Sequence, residues 1–186
     1  MPDTGATENE RGIIVLERPF TQQALVWGAS IFLSSAAMAQ DLAMPSGPVI
    51  LTVSGDIAHT NVGDEAQFDL EMLDALERAS FSSSTIWTEG KIAFEGVWLS
   101  TILSTVGAKG STFRATALNE YSVDLPAEDA LEGGAMLAVR MNGVEMSPRD
   151  KGPIWLVYPY DHNDKFRSEV TFARSVWQLY RLEVAP

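Results

Sequence analysis

The chain of 186 residues contains no cysteine. No disulfide can brace it, and no thiolate is available as a nucleophile or as a soft ligand for a metal. Positive charge is also scarce: 13 Lys and Arg stand against 25 Asp and Glu, giving a net charge of −12. Nucleic acids and anionic membrane surfaces need clustered cations, so neither is an expected partner. The two histidines, His59 and His162, lie far apart in sequence, whereas a zinc site needs three or four clustered ligands. No internal repeat, low-complexity tract or nucleophile-elbow pattern occurs.

What is present is a chain that is 46% hydrophobic and 20% charged, the profile of one globular domain with a core of its own. Near the start, Ala24 to Ala36 is apolar and short, and it runs into Ala37-Met38-Ala39, a small-x-small cleavage pattern. Residues 1–39 therefore read as a secretory signal peptide. Its front end is long and acidic, with Asp3, Glu8, Glu10 and Glu17, and suits a translation start downstream of Met1. The apolar stretch falls short of the ~20 residues that a spanning helix needs. Residues 40–48, with Pro45, Gly47 and Pro48, form an expected linker, and 49–186 the domain.

Val49 to Gly55 is β-branched and apolar and predicts a first strand. Asp69 to Leu76 has a capping acid and apolar residues at Leu70, Leu73 and Leu76, the pattern of an amphipathic helix. Phe81 to Trp87 predicts a strand; beyond it Trp98, Leu99, Ile102, Leu103 and Val106 fall at helical spacing, with Gly107 closing the helix. Thr112 to Leu118 alternates, placing Phe113, Ala115 and Ala117 on one face, and Tyr121 to Leu125 follows as a further extended run. Met136 to Met141 and Val144 to Met146 flank Asn142-Gly143, a strong hairpin signal. Ile154 to Tyr158 is continuously apolar and predicts a central strand buried on both faces. Glu169 to Arg174 predicts a helical turn and Val176 to Val184 a closing strand. The expected class is α+β, with mixed β-sheets and two or three short helices.

The segment from Gly134 to Val184 carries AMLAVRMNGVEMSPRDKGPIWLVYP and, after a spacer, SVWQLYRLEV. It resembles the molybdopterin-binding domain of the sulfite oxidase family, whose bacterial relatives include periplasmic methionine-sulfoxide reductases. Upstream, FEGVWLSTIL is similar to the family's Phe/Trp-x-Gly-Val-x-Leu-x-x-Leu-Leu, and the likeness spans Val49 to Val184. The resemblance implies a sulfite oxidase-like molybdopterin-binding fold.

Three departures bear on function. The family's enzymes hold molybdenum through a cysteine thiolate, and the corresponding position falls near Ser84 or Thr85, where a hydroxyl is a poor substitute. Trp155 stands where the sulfite oxidases have an arginine for the oxyanion substrate. Trp177-Gln178-Leu179 stands where they have Lys-Trp-Leu. Metal ligand, substrate clamp and a nearby cation are lost together.

The chain is similar to short, exported, cysteine-free members of this fold that bind reduced pterins and signal through a membrane-bound cyclic-di-GMP enzyme. The resemblance thus implies a non-catalytic ligand sensor in the periplasm, taking a tetrahydropterin-like pterin or molybdopterin without molybdenum. Its partner would be the periplasmic domain of a membrane signalling protein. The alternatives are a molybdopterin-dependent oxidoreductase lacking the usual cysteine, and a structural module with an empty pocket. For stacking on a flat heterocycle the candidates are Trp87, Tyr121, Trp155, Tyr158, Tyr160 and Trp177; for its polar edge they are Asn119, Asp161 and Arg174. Core packing is the competing role for each ring, above all for Trp98 and Trp155. Tyr158 and Tyr160 alternate along an extended run, so one of them at most faces any single pocket.

The exported protein is expected to begin at Gln40. N-terminal sequencing of secreted material checks this, and an intact Met1 would reject it.

Overall fold

The computed structural model describes residues 42–186. The expected signal peptide lies outside the described residues, as do Gln40 and Asp41 of the linker. In chain order the elements are β1 (Leu51–Gly55), β2 (Ala66–Phe68), α1 (Leu70–Ala75), β3 (Ala79–Ser84), β4 (Lys91–Trp98), α2 (Leu99–Thr105) and β5 (Thr112–Ala117). They continue with β6 (Ser122–Pro126), β7 (Met136–Met141), β8 (Val144–Glu145), β9 (Trp155–Val157), α3 (Glu169–Arg174) and β10 (Leu179–Ala185). Short 3-10 turns at Ala127–Ala130 and Asp164–Phe166 complete the set. The class is α+β with mixed strand pairing.

The first sheet has the order β2-β1-β10-β5-β6, with β1 and β10 parallel and its other pairs antiparallel. The second runs β3-β4-β7-β8, and β9 also pairs with β7. The main core includes Leu51, Val53, Phe113, Ala115, Leu182 and Val184 of the first sheet with Val97, Leu137, Val139 and Leu156 of the second. Leu73 of α1 and Leu99, Ile102 and Leu103 of α2 join it.

A second apolar cluster gathers Phe81, Ile92, Phe94, Met136, Ala138, Trp155 and Val157. Successive β-residues point to opposite faces, so Leu137 and Val139 enter the main core while Met136 and Ala138 enter the other. Within the second sheet β7, over Met136 to Val139, and β9 are therefore buried on both sides.

Local signals explain the boundaries. Asp69 caps α1 by accepting from the Met72 amide at 2.8 Å, and its other oxygen takes the amides of Ser46 and Gly47, tying the linker arm to the helix. Asn142 and Gly143 both have positive φ, as the tight β7–β8 hairpin requires, and Asn142 Oδ1 accepts from the Ala93 amide. Arg140 makes two bonds to Asp74, at 2.7 and 2.6 Å, joining the hairpin to α1.

Four expectations change. The strand expected over Phe81 to Trp87 is Ala79–Ser84, because Thr85 bonds Thr88 and the Trp87 amide and turns the chain there. The closing strand expected from Val176 begins at Leu179, after the positive φ of Gln178 breaks the run. Trp98 ends β4 instead of opening the helical face, and its ring stacks on Phe81 at 5.9 Å, because the strand register continues until Leu99 donates to Ala135 O. β7, not the 154–158 run, is the central strand. β9 pairs only with β7, and its other edge is closed by Leu156 N to Val176 O at 2.8 Å and Leu179 N to Ile154 O at 2.9 Å. Burial on both faces gives β9 a central strand's composition without a central place.

Gly96 sits where β4 and β7 shift register, and a Cβ there would run into the Leu137 carbonyl oxygen. Gly96→Ala is expected to lower stability by about 1–3 kcal/mol through overpacking, read by urea unfolding.

Candidate functional site

A cavity of about 230 Å3 opens where the end of the first sheet meets the segment after α3. Ala117, Asn119 and Tyr121 supply one wall, from the end of β5 and the turn into β6. Phe172, Ala173, Ser175, Val176 and Trp177 supply the other, and Trp87 closes the space between them. Trp87 comes from the β3–β4 connection, where its amide donates to Thr85 Oγ1 at 3.1 Å. Four rings surround its indole edge-to-face: Trp155 at 5.7 Å, Phe172 at 5.7 Å, Trp177 at 5.9 Å and Tyr160 at 6.4 Å. Such contacts add about 0.5–1.5 kcal/mol each beyond area burial, so the half-buried indole is held in one place.

Polar groups fix both walls. The Tyr121 hydroxyl donates to Ala173 O at 2.8 Å, bridging them, and the Tyr121 amide donates to Asn119 Oδ1. Tyr160 shares a hydroxyl bond of 2.7 Å with Ser175, whose Oγ also donates to Thr171 O. Gln178 has φ of +54°, uncommon outside glycine. Its amide nitrogen is anchored on the carbonyls of Pro148 and Asp150, which fixes the turn that presents Trp177.

Of the nine residues singled out from the sequence, Trp87, Asn119, Tyr121 and Trp177 line the cavity. Trp155, Tyr158 and Tyr160 are buried behind it, at 0%, 0% and 1% exposure. Trp155 belongs to the second core, with Phe94 at 5.5 Å and the Lys151 ammonium over its ring, and its indole N–H is the buried side-chain polar atom lacking a partner among the described residues. Burial pushes the Tyr158 hydroxyl well above its ordinary pKa and that of Tyr160 up to about 12. Arg174 bonds Asp129 at 3.2 Å.

Asp161 lies near the end of β3. Its carboxylate accepts from Ser84 Oγ at 2.7 Å, the Ser84 amide at 3.0 Å and Arg167 at 2.8 Å, with Lys91 at 3.4 Å, and its own amide donates to Ser83 Oγ. The bonds from Ser84, helped by Lys91, hold its pKa well below the usual carboxylate range.

Phe172, Ser175 and Val176 were not singled out from the sequence. Phe172 looks like an ordinary apolar residue of a helical turn there; its relation to Trp87 arises only when α3 packs beside the β3–β4 connection. A larger hollow of about 330 Å3, near Asp69, Glu71 and Glu145 over Leu70, Val139 and Met146, has no aromatic ring in its lining. It offers no stacking surface, so the smaller cavity is the better candidate for a flat ligand.

The fold and this cavity define an α+β domain with an aromatic-lined hollow. The chain belongs to the family of the oxidoreductase molybdopterin-binding domain, which matches residues 59–165. No curated protein sequence matches the chain. The family match includes Trp87, Asn119 and Tyr121 and stops before α3, so the Phe172–Trp177 wall lies beyond it.

Ser84 and Thr85, near which the resemblance puts the family's metal ligand, offer hydroxyls that do not fit a thiolate-held molybdenum. Ser84 Oγ is bonded to Asp161 and Thr85 Oγ1 to Thr88 at 2.7 Å, and the sequence supplies no cysteine.

A carboxyl with a lowered pKa adds stability above its unfolded pKa and loses it as pH falls through the folded value. Wild type should therefore be more stable than Asp161→Asn at neutral pH, the difference shrinking once pH drops below the ordinary value of about 4. Urea unfolding across a pH series measures this; a difference that does not change with pH would show that the charge of Asp161 contributes nothing.

Proposed function

We propose that the chain is an exported, non-catalytic pterin-binding protein that reports ligand to a membrane signalling partner of the cyclic-di-GMP class. The observation that carries the reading is the aromatic cavity. Trp87, Phe172, Trp177 and Tyr121 border it, and none of its lining residues carries a charge. A flat, neutral heterocycle matches those walls. The volume of about 230 Å3 is below the ~300–1,000 Å3 of pockets that enclose drug-sized ligands, and a phosphorylated tail would find no cation in the lining. A tetrahydropterin head therefore fits better than whole molybdopterin.

In this reading Trp87 stacks on the ring, Trp177, which stands at 86° to Trp87, meets it edge-on, Tyr121 borders it, and the Asn119 amide meets its polar edge. Trp155, Tyr158 and Tyr160 support the walls from behind. Asp161 and Arg174 act through the loops that they brace. Secretion to the periplasm follows from the expected signal peptide. A thiolate-held molybdenum centre has no ligand in this sequence, which favours binding without catalysis.

Removing a stacking aromatic costs ~1 to 3 kcal/mol, or roughly a 5- to 150-fold loss of affinity. Trp87→Ala should weaken tetrahydrobiopterin binding by that factor in calorimetry, with a melting curve run on the same sample. Because Trp87 also packs in the core, Trp177→Ala, at a site 38% exposed, gives a second reading that spares the fold. Folded variants with unchanged affinity would remove these rings from the ligand surface. Stoichiometric molybdenum in protein purified from its native host would overturn the non-catalytic reading.

A further inference from the structure

Behind the cavity three elements meet on one carboxylate. Asp129 stands in the 3-10 turn Ala127–Ala130 and is 6% exposed. Its Oδ2 accepts from the Tyr158 hydroxyl at 3.0 Å and from Arg174 Nη1 at 3.2 Å. Arg174 is the last residue of α3, and the residues on either side of it, Ala173 and Ser175, line the cavity.

A helix of six residues is too short to be stable by itself, so its position depends on tertiary contacts. The end of α3 has three side-chain tethers: Tyr121 to Ala173 O, Tyr160 to Ser175, and Asp129 to Arg174. Two join neutral groups. Only the third is an ion pair, and it can be broken by one proton.

We infer that Asp129 is a positioning residue that makes the cavity pH-sensitive, because its charge holds Arg174 and with it the end of α3 that forms the Phe172–Trp177 wall. The inference rests on the pterin reading only for the ligand; the coupling of Asp129 to the wall stands on geometry.

The groups facing Asp129 are Tyr158 after β9, Arg174 of α3, Lys165 of the Asp164–Phe166 turn and Glu128 of its own turn. Burial raises its pKa, the Tyr158 bond and the charges of Arg174 and Lys165 oppose this, and Glu128 adds to it; the balance lies above the ordinary value. The sign matters. A carboxyl whose folded pKa is raised binds its proton more readily in the folded than in the unfolded chain, so the cost of keeping it charged applies above the folded pKa and is relieved as pH falls through it. Mild acid therefore discharges Asp129 without unfolding the protein through this group. What is lost is the hold on Arg174.

The test uses the full protein. The nitrogen-labelled indole signals of Trp177 and Trp87 are followed by NMR in ligand-free protein as pH is lowered from neutral, and tetrahydrobiopterin is titrated by calorimetry over the same range. In wild type the Trp177 signal should shift along one curve with its midpoint above the ordinary carboxylate value, and affinity should fall about three- to tenfold across it, the loss expected for one partly buried contact. Asp129→Asn should flatten both responses. Arg174→Gln removes the cation that the Asp129 charge holds, so the Trp177 response should flatten there as well; this arm stands even if Asp129→Asn fails to fold. Indole signals that stay still in wild type, or a wild-type-like pH response in Arg174→Gln, overturn the coupling. A wild-type indole response without tetrahydrobiopterin binding supports the coupling and overturns the pterin reading.

Discussion

β7 alternates between two cores, Leu137 and Val139 facing one and Met136 and Ala138 the other, and the rest of the structure follows from that. A strand buried on both faces needs apolar cover on both. The first sheet with α1 and α2 covers one face. On the other, Trp87 and Trp98 pack against the second cluster together with Met141. Trp87 packs against both clusters, so the connection that shields the second core also reaches the end of the first sheet. The cavity lies there, with Trp87, Tyr121 and Trp177 in its lining.

Without disulfides, the connections are held by carboxylates. Asp69 ties the linker arm to α1, Asp74 ties α1 to the β7–β8 hairpin through Arg140, and Asp161 ties the end of β3 to the loop after β9. Each accepts two or more bonds, and for Asp74 and Asp161 the first cause of the lowered pKa is a single side-chain partner, Arg140 and Ser84. Arg114–Asp124, exposed on both sides, belongs to a different class, since pairs in open water contribute about 0–1 kcal/mol. Asp129 differs again, because its burial outweighs its partners and leaves it easier to protonate.

The same bonding accounts for the chemistry at Ser84. A hydroxyl donating to an ionised carboxylate, as Ser84 does to Asp161, is a structural contact with its donor already used. The proposed binding surface is the cavity beside Trp87, where aromatic side chains dominate and Asn119 is the amide in the lining. Such a surface discriminates by shape and stacking more than by charge.

Much of the fold was legible in the residues because the signals were local. The Asp69 cap, the Asn142-Gly143 hairpin, the alternation of Phe113, Ala115 and Ala117, and the family likeness around Met-Asn-Gly each depend on a few adjacent positions and were read with nearly the observed boundaries. Strand centrality was not, because β9 is apolar whether its second edge meets a strand or the 176–179 segment. The candidate rings were legible as a set, but their division into cavity lining and support was not. Trp155 and Trp177 differ little as letters in a sequence; one is fully buried and the other partly exposed because β9 packs inside the second sheet while Gln178 turns its neighbour outward. By itself the sequence determined the class of the fold, the family and the absence of a thiolate, since these depend on residue identity and short-range pattern. Only the tertiary structure decided that Phe172 joins Trp87 and that Asp129 takes Arg174, since those pairs are 85 and 45 residues apart and meet through packing alone.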